Sequence, residues 1–458
     1  MTAQVPHILV VGGGYVGMYT AYGLRRAARK GRIRVTVVDP RSVMTYQPFL
    51  PEAAAGSVEP RHVVVPLRKT LKGCRVVTGR VTGIDHAHKV AKVMPEEGPE
   101  YELAYDQIVV ALGSIARTLP IPGLAEEATG FKNVEEAIAL RNKVLDRLDV
   151  ASSQPDPVLR KSALTFVFIG GGYAGVEAFA ELEDMARYAT RYYDNIKPED
   201  MHWVLVEATD RILPEVGPDL GKYTVDQLRK RNMDIRLETR LESCEKGHVV
   251  LSDGDEFDAD TIVWTAGVKP NPMLEQTDLP LGPRGHVLCT ADLAVEGKPG
   301  VFSAGDCASV PDLSKDDPEA RTSPSAQHAV RQAKVLADNI VAHLRGGETK
   351  PYKHSYAGSV ASLGLYKGVA QIYGVKLRGF PAWFMHRTYH VSRMPTWNRR
   401  FRIVMDWTTA LLMGREVVAL GQIHEPKAEF SRIAAPRPVA AAAPVAGTDA
   451  GEPVRKSA

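Results

Sequence analysis

The chain has 458 residues, a net charge of +3, 24% charged residues and 44% hydrophobic residues. That length supports two or three well-buried domains, and the small charge gives no reason to expect a nucleic-acid partner. Cys74, Cys244, Cys289 and Cys307 are widely scattered, with no Cys-x-x-Cys or Cys-x4-Cys pair, and no His/Cys cluster has metal-ligand spacing, so neither a redox disulfide nor a metal is expected. Residues 5–24 are uncharged, but they contain five glycines and no Lys or Arg precedes them. That stretch is therefore read as neither a membrane span nor a signal peptide, and the chain as intracellular.

The first element is an apolar run, His7–Val11, leading into Gly12-Gly13-Gly14-Tyr15-Val16-Gly17 and a helical segment. In such a strand–turn–helix unit Gly12 makes the tight turn, Gly14 lets the backbone approach a pyrophosphate, and Gly17 lets the helix pack on the strand. The phosphates then meet unpaired N–H groups at the positive end of a helix. The next strand, Arg34–Asp39, ends in an acid placed to accept hydrogen bonds from the ribose hydroxyls of an adenosine. A further buried strand, Gln107–Val110, runs through Ala111 into a glycine turn at Gly113.

The same pattern recurs 158 residues on, where Phe166–Ile169 leads into Gly170-Gly171-Gly172-Tyr173-Ala174-Gly175. Gly170, Gly172 and Gly175 repeat the three glycine roles. The matching strand ends at Glu207, farther from the turn than usual because the intervening helix extends through Asp184 to Tyr193. Glu207 accepts from a ribose 2′-hydroxyl and repels a 2′-phosphate, so NADH is favoured over NADPH; Arg211 nearby works against that preference. Thr261–Gly267 closes this unit as Gln107–Gly113 closes the first. One fingerprint is a weak signal. Two, each in context and each with a downstream acid, indicate two bound dinucleotides. By analogy the flavin, FAD, belongs to the first turn and NADH to the second.

Gly300–Asp306 is another short buried strand, and Asp306 at its end suits a hydrogen bond to a ribityl hydroxyl. A serine-capped helix is predicted over Ala326–Leu344 and strand-like alternation over Tyr356–Tyr373. From Arg378 aromatics alternate with cations, and residues 376–416 carry a local charge of +6. Pro381 and Pro395 interrupt that segment. It is read as an interfacial membrane anchor, with a dimer interface or plain basic surface as the alternative. The tail from Ala434, rich in alanine and proline, reads as disordered.

Taken together these motifs resemble the type II NADH dehydrogenases, single-chain NADH:quinone oxidoreductases of the pyridine-nucleotide flavoprotein family. More specific than the fingerprints are Tyr46–Gly56, which looks like the segment after the ribose-binding acid, and Glu177 after the second fingerprint. Ala326-Gln327-His328-Ala329-Val330-Arg331-Gln332 is similar to the family's quinone motif A-Q-x-A-x-Q, with Arg331 where the second glutamine belongs and Gln332 one step late. The resemblance implies an α/β fold of two Rossmann-like domains. The expected division is an FAD-binding domain in two parts, 1–120 and 285–375, interrupted by an NADH-binding domain, 121–284. A membrane-associating region, 376–432, and a disordered tail, 433–458, follow. It further implies hydride transfer from NADH to flavin and two electrons passed to a membrane quinone, without proton pumping, on the cytoplasmic face of the cell membrane. FAD is assigned to Gly12, Gly14, Gly17, Asp39, Ala111, Gly113, Asp306 and Ala326, and NADH to Gly170, Gly172, Gly175, Glu177, Glu207 and Gly267. Glu177 and Gln327 are the expected catalytic residues, and Gln327 and Arg331 the quinone contacts.

Three rivals remain at this stage. Sulfide:quinone oxidoreductases require redox cysteines flanking the flavin, and none is suitably placed. Ferredoxin-type reductases do not call for the aromatic cationic segment or the Ala-Gln helix. A flavin-bearing redox sensor with a protein partner is compatible with the basic segment and the altered quinone motif. Monomer and homodimer stay open.

Overall fold

The computed structural model describes residues 5–354 and 358–419. The tail expected to be disordered, and residues 420–432 of the membrane-associating segment, lie outside them. β1 (His7–Val11) passes through the first glycine turn into α1 (Tyr15–Arg29), and β2 (Arg34–Asp39) returns parallel to β1. Ile8–Val11 are all buried, which a strand covered on both faces requires and which explains a uniformly apolar run rather than an alternating one. The short α2 (Leu50–Ala54) is buried throughout, including Glu52. β3 (Arg75–Asp85) joins β2 in parallel and is extended antiparallel by β4 (Val90–Pro95) and β5 (Tyr101–Ala104). β6 (Gln107–Val110) then lies on the far side of β1.

The chain now leaves this sheet to build a second one. β7 (Ala128–Gly130) is followed by α3 (Val134–Ser153), whose start is fixed by a capping box between Asn133 and Glu136. β8 (Thr165–Ile169), α4 (Tyr173–Ala189), β9 (His202–Val206), β10 (Asp234–Arg236) and β11 (Thr261–Trp264) complete a parallel sheet in the order β7-β11-β8-β9-β10. α4 continues into a tighter turn over Thr190–Tyr192, which accounts for the long spacing to Glu207. Trp203 and Phe166 stack at 4.3 Å between β9 and β8, anchoring this core.

β12 (Val301–Ser303) returns to the first sheet beside β6, so the first sheet, ordered β12-β6-β1-β2-β3-β4-β5, contains the second as an insertion. α5 (Ala326–Leu344) starts where the Ser325 hydroxyl accepts the His328 N–H at 3.2 Å. It packs closely on α1 because Gly23 has no side chain where Ala337 presses.

Past residue 357, the alternating segment forms an antiparallel sheet of β13 (Gly358–Ser362), β14 (Gly368–Ile372) and β15 (Val375–Arg378). α6 (Phe380–Arg393) and α7 (Trp397–Met413) follow. The expectation of a proline-interrupted segment is corrected at Pro381 and holds at Pro395. Pro381 stands in the first turn of α6, where no backbone N–H is needed, and Pro395 falls in the joint before α7. Among the described residues no helix is long and apolar enough to cross a membrane.

Candidate functional site: two glycine turns and a buried ionic junction

The two glycine turns are built alike. Gly12 holds φ +103°, and a Cβ on Gly17 would stand 1.8 Å from the Gly12 carbonyl oxygen. Gly170 holds φ +114°, and a Cβ on Gly175 would stand 2.0 Å from the Gly170 oxygen. In both turns, then, the outer glycines are demanded by the protein's own packing. The middle ones differ, since a Cβ on Gly14 or Gly172 would meet nothing within 4 Å. Each opens on clear space at a helix N-terminus, a cradle that fits a pyrophosphate.

Each turn also fixes its acid. The Gly13 N–H donates to Asp39 Oδ2 at 2.6 Å and the Arg41 N–H to Oδ1 at 2.7 Å. Burial raises the proton affinity of Asp39, and those two hydrogen bonds oppose it. Likewise the Gly171 N–H donates to Glu207 Oε2 at 2.6 Å, while Thr209 gives Oε1 its N–H and hydroxyl, both at 2.8 Å. Arg211 is exposed. Gly113 and Gly267, at the ends of β6 and β11, both take positive φ and face open space. Ala111 lies against the first turn, its carbonyl oxygen 2.2 Å from where a Gly12 Cβ would be.

Asp306 lies in a tight turn just after β12, and its Oδ2 accepts the Ser114 hydroxyl at 2.8 Å. Ser114 in turn receives Lys132 Nζ at 2.7 Å. Burial pulls the proton affinity of Lys132 down against the pull of Asp306 and Glu136. Neither Ser114 nor Lys132 carries a motif that could have singled it out.

On α5, Ala326 is the first helical residue and Gln327 donates to the Gly358 carbonyl at 3.3 Å and meets His354 Nε2 at 3.2 Å. Arg331 bonds back to the Gln327 carbonyl at 3.2 Å. Gln332 points elsewhere: fully buried, it accepts the Gly305 N–H at 2.8 Å and donates to Thr322 at 3.2 Å. One helical residue rotates a side chain by about 100°. Gln332 accordingly braces the turn before Asp306 rather than taking the place of the motif's second glutamine.

Glu177 is 6% exposed. Its Oε1 accepts the Ser362 N–H at 2.8 Å and stands 3.0 Å from His386 Nε2. Glu177 and Gln327 thus contact opposite ends of one strand, β13. Glu52 is also buried, with Arg387 at 3.1 Å and the Trp407 indole N–H donating at 2.7 Å. The Arg387 guanidinium lies 4.3 Å over the Trp383 ring and 4.8 Å over Trp407. Sequence reasoning placed His386, Arg387 and Trp407 on a membrane-facing segment; folding turns them inward. The available signal was the i, i+4 pairing of His386 with His390. Facing outward instead are Phe380 and Phe384 on α6 and Trp397, Phe401, Leu411 and Leu412 on α7.

Comparisons with known proteins agree with this architecture. The family model described as pyridine nucleotide-disulphide oxidoreductase matches residues 6–333, and the NDH2 C-terminal domain matches residues 356–416. The type II NADH:quinone oxidoreductase of Staphylococcus epidermidis is 30% identical over 83% of this chain and 93% of its own. The type II NADH:quinone oxidoreductase Ndh of Mycobacterium tuberculosis is 28% identical over 90% of each. Among solved structures, NDH2 from Plasmodium falciparum in complex with NADH superposes with a TM-score of 0.83 at 17% identity, covering 91% of this chain and all of that one. With two matched glycine turns joined to this C-terminal domain, the chain belongs to the pyridine nucleotide-disulphide oxidoreductase family and, within it, to the type II NADH:quinone oxidoreductases.

Proposed function

We propose that this protein carries FAD at the first glycine turn, oxidises NADH at the second, and passes both electrons to a quinone at the cytoplasmic surface of a membrane. The observation that carries the reading is the geometric identity of the two turns, each with a locked acid and a middle glycine opening on clear space. When bound, the flavin supplies the hydride-accepting and electron-passing chemistry.

The chain's own residues bind and orient. Gly12, Gly14 and Gly17 shape the first cradle, Asp39 takes the adenosine ribose, and Asp306, held by Ser114, takes a ribityl hydroxyl. Ala111, Gly113 and Ala326 allow close backbone approach. Gly170, Gly172, Gly175 and Gly267 do the same for NADH, and Glu207, already bonded to Gly171 and Thr209, takes the 2′-hydroxyl and refuses a 2′-phosphate. Glu177 serves the nicotinamide–flavin side, and Gln327 and Arg331 serve the quinone.

Membrane contact rests on the outward face of α7. Trp397, Phe401, Leu411 and Leu412 are 78%, 59%, 69% and 77% exposed, and helical spacing puts them on one side. Arg387 and Arg415 are spent in buried ion pairs, so fewer cations reach headgroups than the raw count implies.

The direct assay mixes the purified protein with NADH and a short-chain quinone in lipid vesicles. Equal yields of NAD⁺ and quinol, with FAD as the released flavin, are expected. NADH oxidation without quinol, or a different flavin, contradicts the assignment.

A further inference from the structure

His386 sits at a meeting of charges that its position on a surface-like segment gives no reason to expect. It is 1% exposed, with Nε2 3.0 Å from Glu177 and Nδ1 3.9 Å from Glu52. One turn along α4 from Glu177, the fully buried Glu181 accepts the Ser362 hydroxyl at 2.6 Å and lies 3.6 Å from Arg415. Arg415 also reaches Asp184 at 2.7 Å. Among the described residues, the ion pairs of Glu52, Glu177, Glu181 and Asp184 are with Arg387, Arg415 and His386 itself, and Lys367 is also drawn by Asp184, so four carboxylates share two paired guanidiniums. Unbalanced charge in a dry interior is costly, and the group that can take a proton does so.

We propose that His386 and Glu177 hold one exchangeable proton between them, and that His386 is a positioning residue that keeps this proton ready at Glu177 for reduction of the acceptor. The proposal rests on the quinone reading given above. NADH, a quinone and one proton give NAD⁺ and the quinol; the hydride brings two electrons and one proton, and the His386–Glu177 pair supplies the other. Solvent then refills the pair.

The neighbouring groups divide the work. Burial opposes a charged His386 ring, but Glu177, Glu52 and Glu181 outweigh it, so the ring holds its proton more tightly than an ordinary histidine. Glu181 is raised by its own burial, against the pull of Arg415. His390, one turn along α6 with its ring centroid 4.6 Å from that of His386, is pushed well down by burial and by the His386 charge. It stands beside Tyr46, whose hydroxyl lies 3.4 Å from its Nδ1. The surroundings thus favour the charged form of His386 and oppose that of His390, and His386 is the ring that stands against Glu177.

Two readouts test this on the full-length holoprotein. In the first, ring-nitrogen NMR, with His386 assigned by its loss in His386→Gln, should show a charged ring at pH 7 that Glu177→Gln turns toward the ordinary titration. A neutral ring at pH 7, or one indifferent to Glu177→Gln, overturns the pair. In the second, His386→Gln should slow quinone-driven flavin reoxidation by roughly 10²-fold, abolish the alkaline limb of its pH profile, and leave flavin reduction by NADH within about twofold. His386→Lys, which keeps a proton carrier, should restore a limb at a displaced pH. Equal slowing of both halves, or an unchanged pH profile, overturns the role. If His386→Gln does not fold, the lysine variant and the NMR of the parent protein decide. A parent protein that no quinone reoxidises defeats the quinone reading and the delivery role, while the NMR still decides whether the pair exists.

Discussion

Glycines 17 and 175 are the residues with least latitude. A Cβ at either would lie 2.0 Å or less from the carbonyl oxygen of its turn's first glycine, so strand and helix would have to separate. Gly17→Ala is expected to cost more than about 3 kcal/mol and to release the flavin, whereas Gly175→Ala should retain flavin and lose NADH binding. Absorbance of the purified variants and calorimetric nucleotide titration check both. In the proposed assignment, Glu207 sets the nucleotide preference through its charge. Glu207→Gln should keep most NADH activity while the NADPH/NADH ratio of kcat/KM rises about tenfold, that is by about 1.4 kcal/mol. Gln332 has a structural task that the sequence could only hint at by its offset from the quinone motif. Gln332→Leu strips a partner from the Gly305 N–H and should destabilise the protein by about 1–3 kcal/mol, read as a lowered Tm.

Among the elements, α1, α4, α5 and the strands before each glycine turn were legible in the sequence, because uniform apolar runs followed by glycine turns carry their own geometry. The C-terminal helices were legible only in part. Aromatics interleaved with arginines look the same whether they face lipid or a buried acid, and nothing local marked Glu52 and Glu177 as the partners that draw His386 and Arg387 inward. Those partners lie hundreds of residues away in the chain, so the pairing is a property of the fold. Glu52→Ala would leave Arg387 buried without its carboxylate, and a loss of about 3–5 kcal/mol is expected from denaturant unfolding. The histidines on α6 have opposite pH signatures. His386, raised in the folded state, contributes stability that is fully present below pH 6.5 and is lost as pH climbs through its folded value. His390, depressed, contributes stability present above pH 6.5 and lost as pH falls through its folded value. His390→Phe should accordingly flatten the acid-side fall in unfolding free energy by up to about 1.4 kcal/mol per pH unit. On the outer side of α7, Phe401→Ser with Leu412→Ser should cut vesicle binding several-fold in a flotation assay while leaving flavin reduction by NADH unchanged.

At the scale of the whole molecule, the design is a sheet interrupted by a second sheet, closed by a C-terminal unit that reaches back into the interrupted core. β12 returning beside β6 was foreseeable from a short apolar run ending in Gly-Asp. The buried ionic junction of α2, α4 and α6 was not, since it needs all three in place. That junction joins the C-terminal helices to the element that follows the second glycine turn. In the proposed assignment the second turn takes the electron donor, and the outward face of α7 is the proposed contact with the membrane that holds the acceptor. Sequential stopped-flow mixing tests this assignment most directly. NADH should bleach the flavin rapidly and NADPH at least about tenfold more slowly, and a quinone added to the reduced protein should restore the oxidised spectrum. A flavin that NADH does not bleach would contradict the assignment of the second turn, and with it the account.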